Sequence, residues 1–79
     1  MKLRVRSIVI DWQDQTMEVT DTEDGKHTLP LDTQITVTMV GYPDREEKTM
    51  PAQELGPYMT RGYIIEWIEF EEGEREGKG

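Results

Sequence analysis

The chain contains no cysteine and a single histidine among its 79 residues. The first absence removes disulfides, thiolate chemistry and cysteine-ligated zinc. The second leaves His27 as the one imidazole for acid–base work or metal ligation. Cations are scarce as well: nine Lys and Arg against seventeen Asp and Glu give a net charge of −8. A surface of that sign repels phosphate backbones, so nucleic acid is not an expected partner. Long apolar runs are missing too. No stretch approaches the ~20 residues of a membrane span, and "MKLRVRSIVI" lacks the apolar core and cleavage site of a signal peptide. A cytoplasmic location without membrane attachment is the expectation. At this length the chain forms one domain, which buries only roughly 60% of its unfolded surface and gains stability from any oligomer that covers more.

What is present is a period of two. Val, Ile, Thr and aromatic residues alternate with polar ones, the pattern of half-buried strands. Lys2 to Ile10 places Leu3, Val5 and Val9 on one face and Lys2, Arg4 and Arg6 on the other. Ile8 and Ile10 then fall on the charged face, so this strand is either buried on both sides or bent by a bulge near Ser7. Thr16 to Thr20 turns Met17 and Val19 inward after the polar connection "DWQDQ". Asp24-Gly25 is a hairpin signal, and the strand that follows, His27 to Leu31, carries Pro30, which suits an edge. Gln34 to Val40 alternates cleanly, with Ile35, Val37 and Met39 inward. "GYPDREEK", residues 41–48, has the composition of a solvated loop. "TMPAQELGP" fits one helical turn stopped by Gly56 and Pro57. Tyr63 to Phe70 is apolar on both faces and is expected at the centre of the sheet. The expected fold is therefore all-β: a small five-stranded barrel with one short helical turn over residues 1–70, closed to remove its edges, and a disordered acidic tail over 71–79.

This order of elements resembles the OB-like barrel. "DGKHTLPLDTQITV", "MPAQEL" and "GYIIEW" are similar to bacterial small-barrel domains of unassigned function, with Thr33, Ile35, Ala52, Leu55 and Gly62 at the matching positions and Tyr63 to Trp67 as the closing strand. The likeness spans roughly residues 16 to 68. It departs at "GPYMTR", which separates Leu55 from Gly62 by more residues than such domains use. Initiation-factor-type barrels share the scheme but bind RNA through a basic surface that this chain lacks. What the resemblance implies is a fold and no activity.

"VTDTEDGKHTLPL", residues 19–31, gathers acids around the histidine and is the first place to look for chemistry. An EF-hand loop begun at Asp21 would need an oxygen ligand where Gly25 stands and a glycine where Lys26 stands. Zinc would need a second His or a Cys. A hairpin turn explains the stretch without a metal. Nucleophilic catalysis fares no better, since Thr28 beside His27 points to the opposite face, and Glu66 and Glu69, three apart on a strand, do not converge. No catalytic residue, cofactor or metal is assigned, and the protein is expected not to be an enzyme.

The basic stripe Lys2, Arg4 and Arg6 has two readings. With aromatics it could form a groove for single-stranded nucleic acid, or it faces Glu66, Glu69 or Glu71 of a neighbouring last strand; the second is preferred. Aromatic and long side chains at loops and strand ends are the better binding candidates. Trp12, Tyr42, Tyr58, Met59, Arg61 and Tyr63 form the expected partner-binding set, centred on the segment that departs from the resemblance. The functional expectation is an acidic, non-enzymatic module acting by protein–protein interaction, with self-association as a further expectation. Two alternatives stand beside it. One is an inhibitor of the phage type that mimics nucleic-acid charge. The other is an oligomer that sequesters a small molecule or nucleotide, its phosphate held by Arg4, Arg6 or Arg61.

Overall fold

The computed structural model describes residues 1–41 and 44–71. Six strands, β1 (Lys2–Asp11), β2 (Thr16–Asp21), β3 (Lys26–Pro30), β4 (Gln34–Val40), β5 (Arg45–Pro51) and β6 (Ile64–Phe70), form one sheet in the order β3-β2-β1-β6-β4-β5. All pairings are antiparallel. A 3-10 turn (Ala52–Glu54) and one helix, α1 (Leu55–Thr60), link β5 to β6. The expected closed five-stranded barrel is not formed: the sheet has six strands, and among the described residues no ladder joins β3 to β5. No helix of the described residues is long and apolar enough to cross a membrane. Of the tail expected over 71–79, only Glu71 lies within the described residues.

Two bulges decide which side chains face the core. In β1 the register against β2 shifts between Val5 and Ser7. The extra residue reverses the alternation, so Leu3 and Val5 before it and Ile8 and Ile10 after it all pack on the core, while Val9 stands 59% exposed. In β6 the register against β4 slips between Trp67 and Ile65, opposite Thr38 and Met39. That slip lets Ile65, Ile68 and Phe70 share the buried side although Ile65 and Ile68 are three positions apart. A sequence apolar on both faces is resolved by a bulge, and β6 takes the expected central place.

The core is a single cluster. Met17, Val19, Leu29, Leu31, Ile35, Val37 and Met39 join Ile65, Ile68 and Phe70, and Met50, Ala52 and Leu55 are added from the connection. Burying a side chain the size of Leu55, which is wholly enclosed, contributes about 1.5–3 kcal/mol. β3 is an edge strand, as Pro30 requires. The other edge, β5, takes the second half of the expected solvated loop, from Arg45 onward. All its residues but Met50 and Pro51 are exposed, and its pairing with β4 runs from Gln34–Pro51 to Val40–Arg45. Thr36 and Thr49, directly opposed, join hydroxyls at 3.0 Å.

The helix also differs from expectation. It runs through Gly56 and Pro57 and does not stop at them. Pro57 sits in the first turn, where its missing N–H interrupts no intrahelical bond. The terminating residue is Gly62, at φ +97°, with the Gly62 amide donating to Met59 O at 3.0 Å and the Tyr63 amide to Tyr58 O at 3.1 Å.

Candidate protein-binding groove

The site is built by Leu31. Its amide donates to Gln15 O at 3.0 Å in the β1–β2 turn, and its carbonyl accepts from Gln53 N at 2.9 Å in the 3-10 turn. Ala52 N donates to Thr33 O at 2.8 Å beside it. One buried residue thus holds the β1–β2 turn next to the segment that leads into α1. The turn is itself fixed. Asp11 Oδ1 accepts from the amides of Gln13 and Asp14, both at 3.0 Å, Gln15 adopts φ +60°, and Gln15 Nε2 donates to Trp12 O at 2.7 Å.

Trp12 is presented from this turn with 55% of its surface exposed. Its indole lies against α1 at Gly56, where a Cβ would stand 3.6 Å from Trp12 Cζ2 and 3.7 Å from Ile10 Cδ1. Between turn and helix lies an open groove of about 560 Å³, lined by Ile10, Trp12, Gly56, Pro57 and Met59, with Thr60 and Arg61 at its helix end. Met59 also borders a second cleft of about 240 Å³, between Val5–Ile8 of β1 and Tyr63 with Ile64 and Ile65 of β6. That cleft exists because β1 and β6 pair only at Lys2, Leu3 and Arg4, and from Val5 onward the ladder of β1 is with β2. Ile64, 64% exposed, stands at its border.

The expected partner-binding residues divide into two groups. Trp12, Met59 and Arg61 line the groove. Tyr58 and Tyr63 are half-buried behind it and meet edge to face, ring centroids 5.5 Å apart. Tyr63 is fixed from the other side as well, because its ring occupies the space a Cβ at Gly41 would need. Tyr42 lies outside the described residues. Ile10, Gly56 and Pro57 line the groove without having been expected there. The sequence signal was present in "GPYM", but reading Gly56 and Pro57 as a helix stop hid the face they present.

The arginines considered for phosphate each contact a different group. Arg4 and Lys2 flank the Trp67 ring, at 5.7 and 5.4 Å from its centroid. Arg6 pairs with Asp24, and Arg61 lies 6.0 Å from the Tyr58 ring. β1 does neighbour β6, with Lys2 opposite Glu69, yet among the described residues the carboxylate of Glu66 pairs with Arg45 at 3.2 Å.

The acidic stretch around His27 is a turn. Asp21 Oδ1 accepts from the Glu23 and Gly25 amides at 2.8 and 2.9 Å, and Oδ2 lies 2.9 Å from His27 Nε2. The His27 bond first, and then the two amides, hold the Asp21 carboxyl below its ordinary value of 3.8. Asp24 takes the left-handed conformation, φ +69°. Gly25 is needed for closeness, since a Cβ there would lie 2.8 Å from Asp21 Oδ2. Among the described residues no three His, Cys, Asp or Glu side chains gather where they could hold a metal ion.

Comparison with protein-family models, curated proteins and solved structures finds no match for the chain.

Proposed function

We propose that the protein is a non-enzymatic binding module that engages a protein partner through the groove between α1 and the β1–β2 turn. The observation that carries this reading is Trp12: a large aromatic, 55% exposed, held on a hydrogen-bonded turn beside an apolar groove. Exposed tryptophans on rigid supports are the side chains that most often dominate association energies. Tyr58 and Tyr63, packed on each other and on the core, flank Met59 and Arg61 in sequence and anchor the segment that supplies them, and an anchored segment has a lower ordering cost on binding.

The sequestration alternative gains less support. It needs a phosphate held by Arg4, Arg6 or Arg61; Arg6 pairs with Asp24, and Arg4 lies beside the Trp67 ring and does not line the groove. The inhibitor alternative rests on the charge of −8, which would make binding fall steeply with salt.

A pull-down from an extract of the native source tests the groove. The unaltered chain is compared with Trp12→Ala, Met59→Glu and, as a control on another face, Lys26→Ala. The proposal expects a protein retained by the unaltered chain and by Lys26→Ala and lost from the two groove variants. Equal retention by all four contradicts it.

A further inference from the structure

We infer that the groove accepts an extended peptide segment carrying a bulky apolar side chain next to a single carboxylate; this rests on the groove being the binding site. The charge pattern supplies the first reason. Among the described residues Arg61 is the only charged one lining the groove, in a chain whose net charge is −8. Its side chain is exposed, its guanidinium lies 6.0 Å from the centre of the Tyr58 ring, and it makes no ion pair among the described residues. Arg6, Arg45 and Lys48, by contrast, each reach an acid of their own. A planar guanidinium beside an aromatic ring, lining an apolar trough, complements a carboxylate by bidentate hydrogen bonds. One carboxylate is the fitting number, because an acidic run would be repelled by the molecule as a whole.

The shape of the site supplies the second reason. Met59 lines both the groove and the cleft where β1 has left β6. From Val5 to Asp11, β1 is paired on its β2 side, whereas its pairing with β6 ends at Arg4. A trough bordered by a strand that has no ladder partner on that side among the described residues suits a chain in extended conformation, which can add main-chain hydrogen bonds to the side-chain contacts. The apolar side chain enters between Ile10, Trp12 and Met59, and the carboxylate meets Arg61.

The test is a selection of a random peptide display library on the full chain. Titrations of the enriched peptides against the unaltered protein and against Trp12→Ala, Arg61→Gln and Arg61→Lys follow. The expected peptides carry Leu, Ile, Phe or Trp beside one Asp, Glu or terminal carboxylate. Their affinity falls by about tenfold or more with Arg61→Gln, is restored only in part by Arg61→Lys, and falls at least as much with Trp12→Ala. Both positions are exposed, so the variants should fold. Peptides that depend on Trp12 but lack a carboxylate and ignore Arg61→Gln overturn the inference and leave the groove reading standing. A selection yielding only basic peptides that ignore Trp12→Ala, or no peptide that depends on Trp12, overturns both.

Discussion

At the scale of single residues, Asp21 shows how much one carboxylate organises. It accepts three hydrogen bonds, from His27, Gly25 and Glu23, and these lower its pKa in the folded state. A depressed carboxylate contributes stability that is present above its unfolded value and is lost as pH falls through its folded one. Asp21→Asn should therefore be less stable than the parent at neutral pH, and the gap should narrow as pH drops below 3.8, the ordinary value. Urea unfolding at a series of pH values checks this, and a gap independent of pH would contradict it. Gly41 is a second such position. A methyl there meets the Tyr63 ring, so Gly41→Ala should destabilise by about 1–3 kcal/mol, read from the unfolding midpoint. Neither role was legible in the sequence. The Asp-Gly pair announced a turn, but the positive φ belongs to Asp24, and Gly25 serves to let the carboxylate of Asp21 approach.

At the scale of elements, the bulge in β6 makes a prediction that a regular strand would not. Ile64 and Ile65 are adjacent, the first 64% exposed and the second 8%. Ile65→Ala should cost about 2–4 kcal/mol, whereas Ile64→Asp should change stability by about 0.5 kcal/mol or less. Thermal unfolding of the two variants distinguishes them, and equal losses would mean that the register is wrong. Elements with a buried face were legible, because burial writes a period of two into β2, β4 and most of β1, and the doubt at Ser7 lies beside the actual register shift. β5 was not. Its residues "REEKT" face solvent on both sides, so nothing in them alternates, and the strand exists because β4 offers it a ladder. The helix was misread for a related reason: Gly56 and Pro57 stop many helices, but Pro57 occupies a first turn that has no use for its N–H.

At the scale of the whole molecule, the open sheet leaves two edges, and both are blunted. β3 ends in Pro30, and β5 carries Arg45, Glu46, Glu47 and Lys48. Part of the exposed apolar surface lies along the groove, lined by Trp12, Pro57 and Met59, and along the neighbouring cleft, lined by Met59 and Ile64; Val9 is exposed elsewhere on β1. That the sheet stays open was not legible, since it depends on which strands meet at the ends of the order, and local patterns carry no information about that. The aromatic and arginine candidates were half legible. Trp12, Met59 and Arg61 do meet, but the contact that brings the Trp12 turn to the helix runs through the backbone of Leu31, which no side-chain pattern reveals. The groove reading also predicts that salt has little effect on partner binding, because the anchors are apolar and carry one cation. Affinities at low and high ionic strength check that, and a steep loss would favour the acidic surface as the binding feature. The most direct measurement is amide hydrogen exchange on the full chain, with and without the partner recovered in the pull-down. Protection confined to residues 8–13 and 55–65 is the predicted result. Protection centred on the β2–β3 turn and β5, with the groove unchanged, would contradict the central claim.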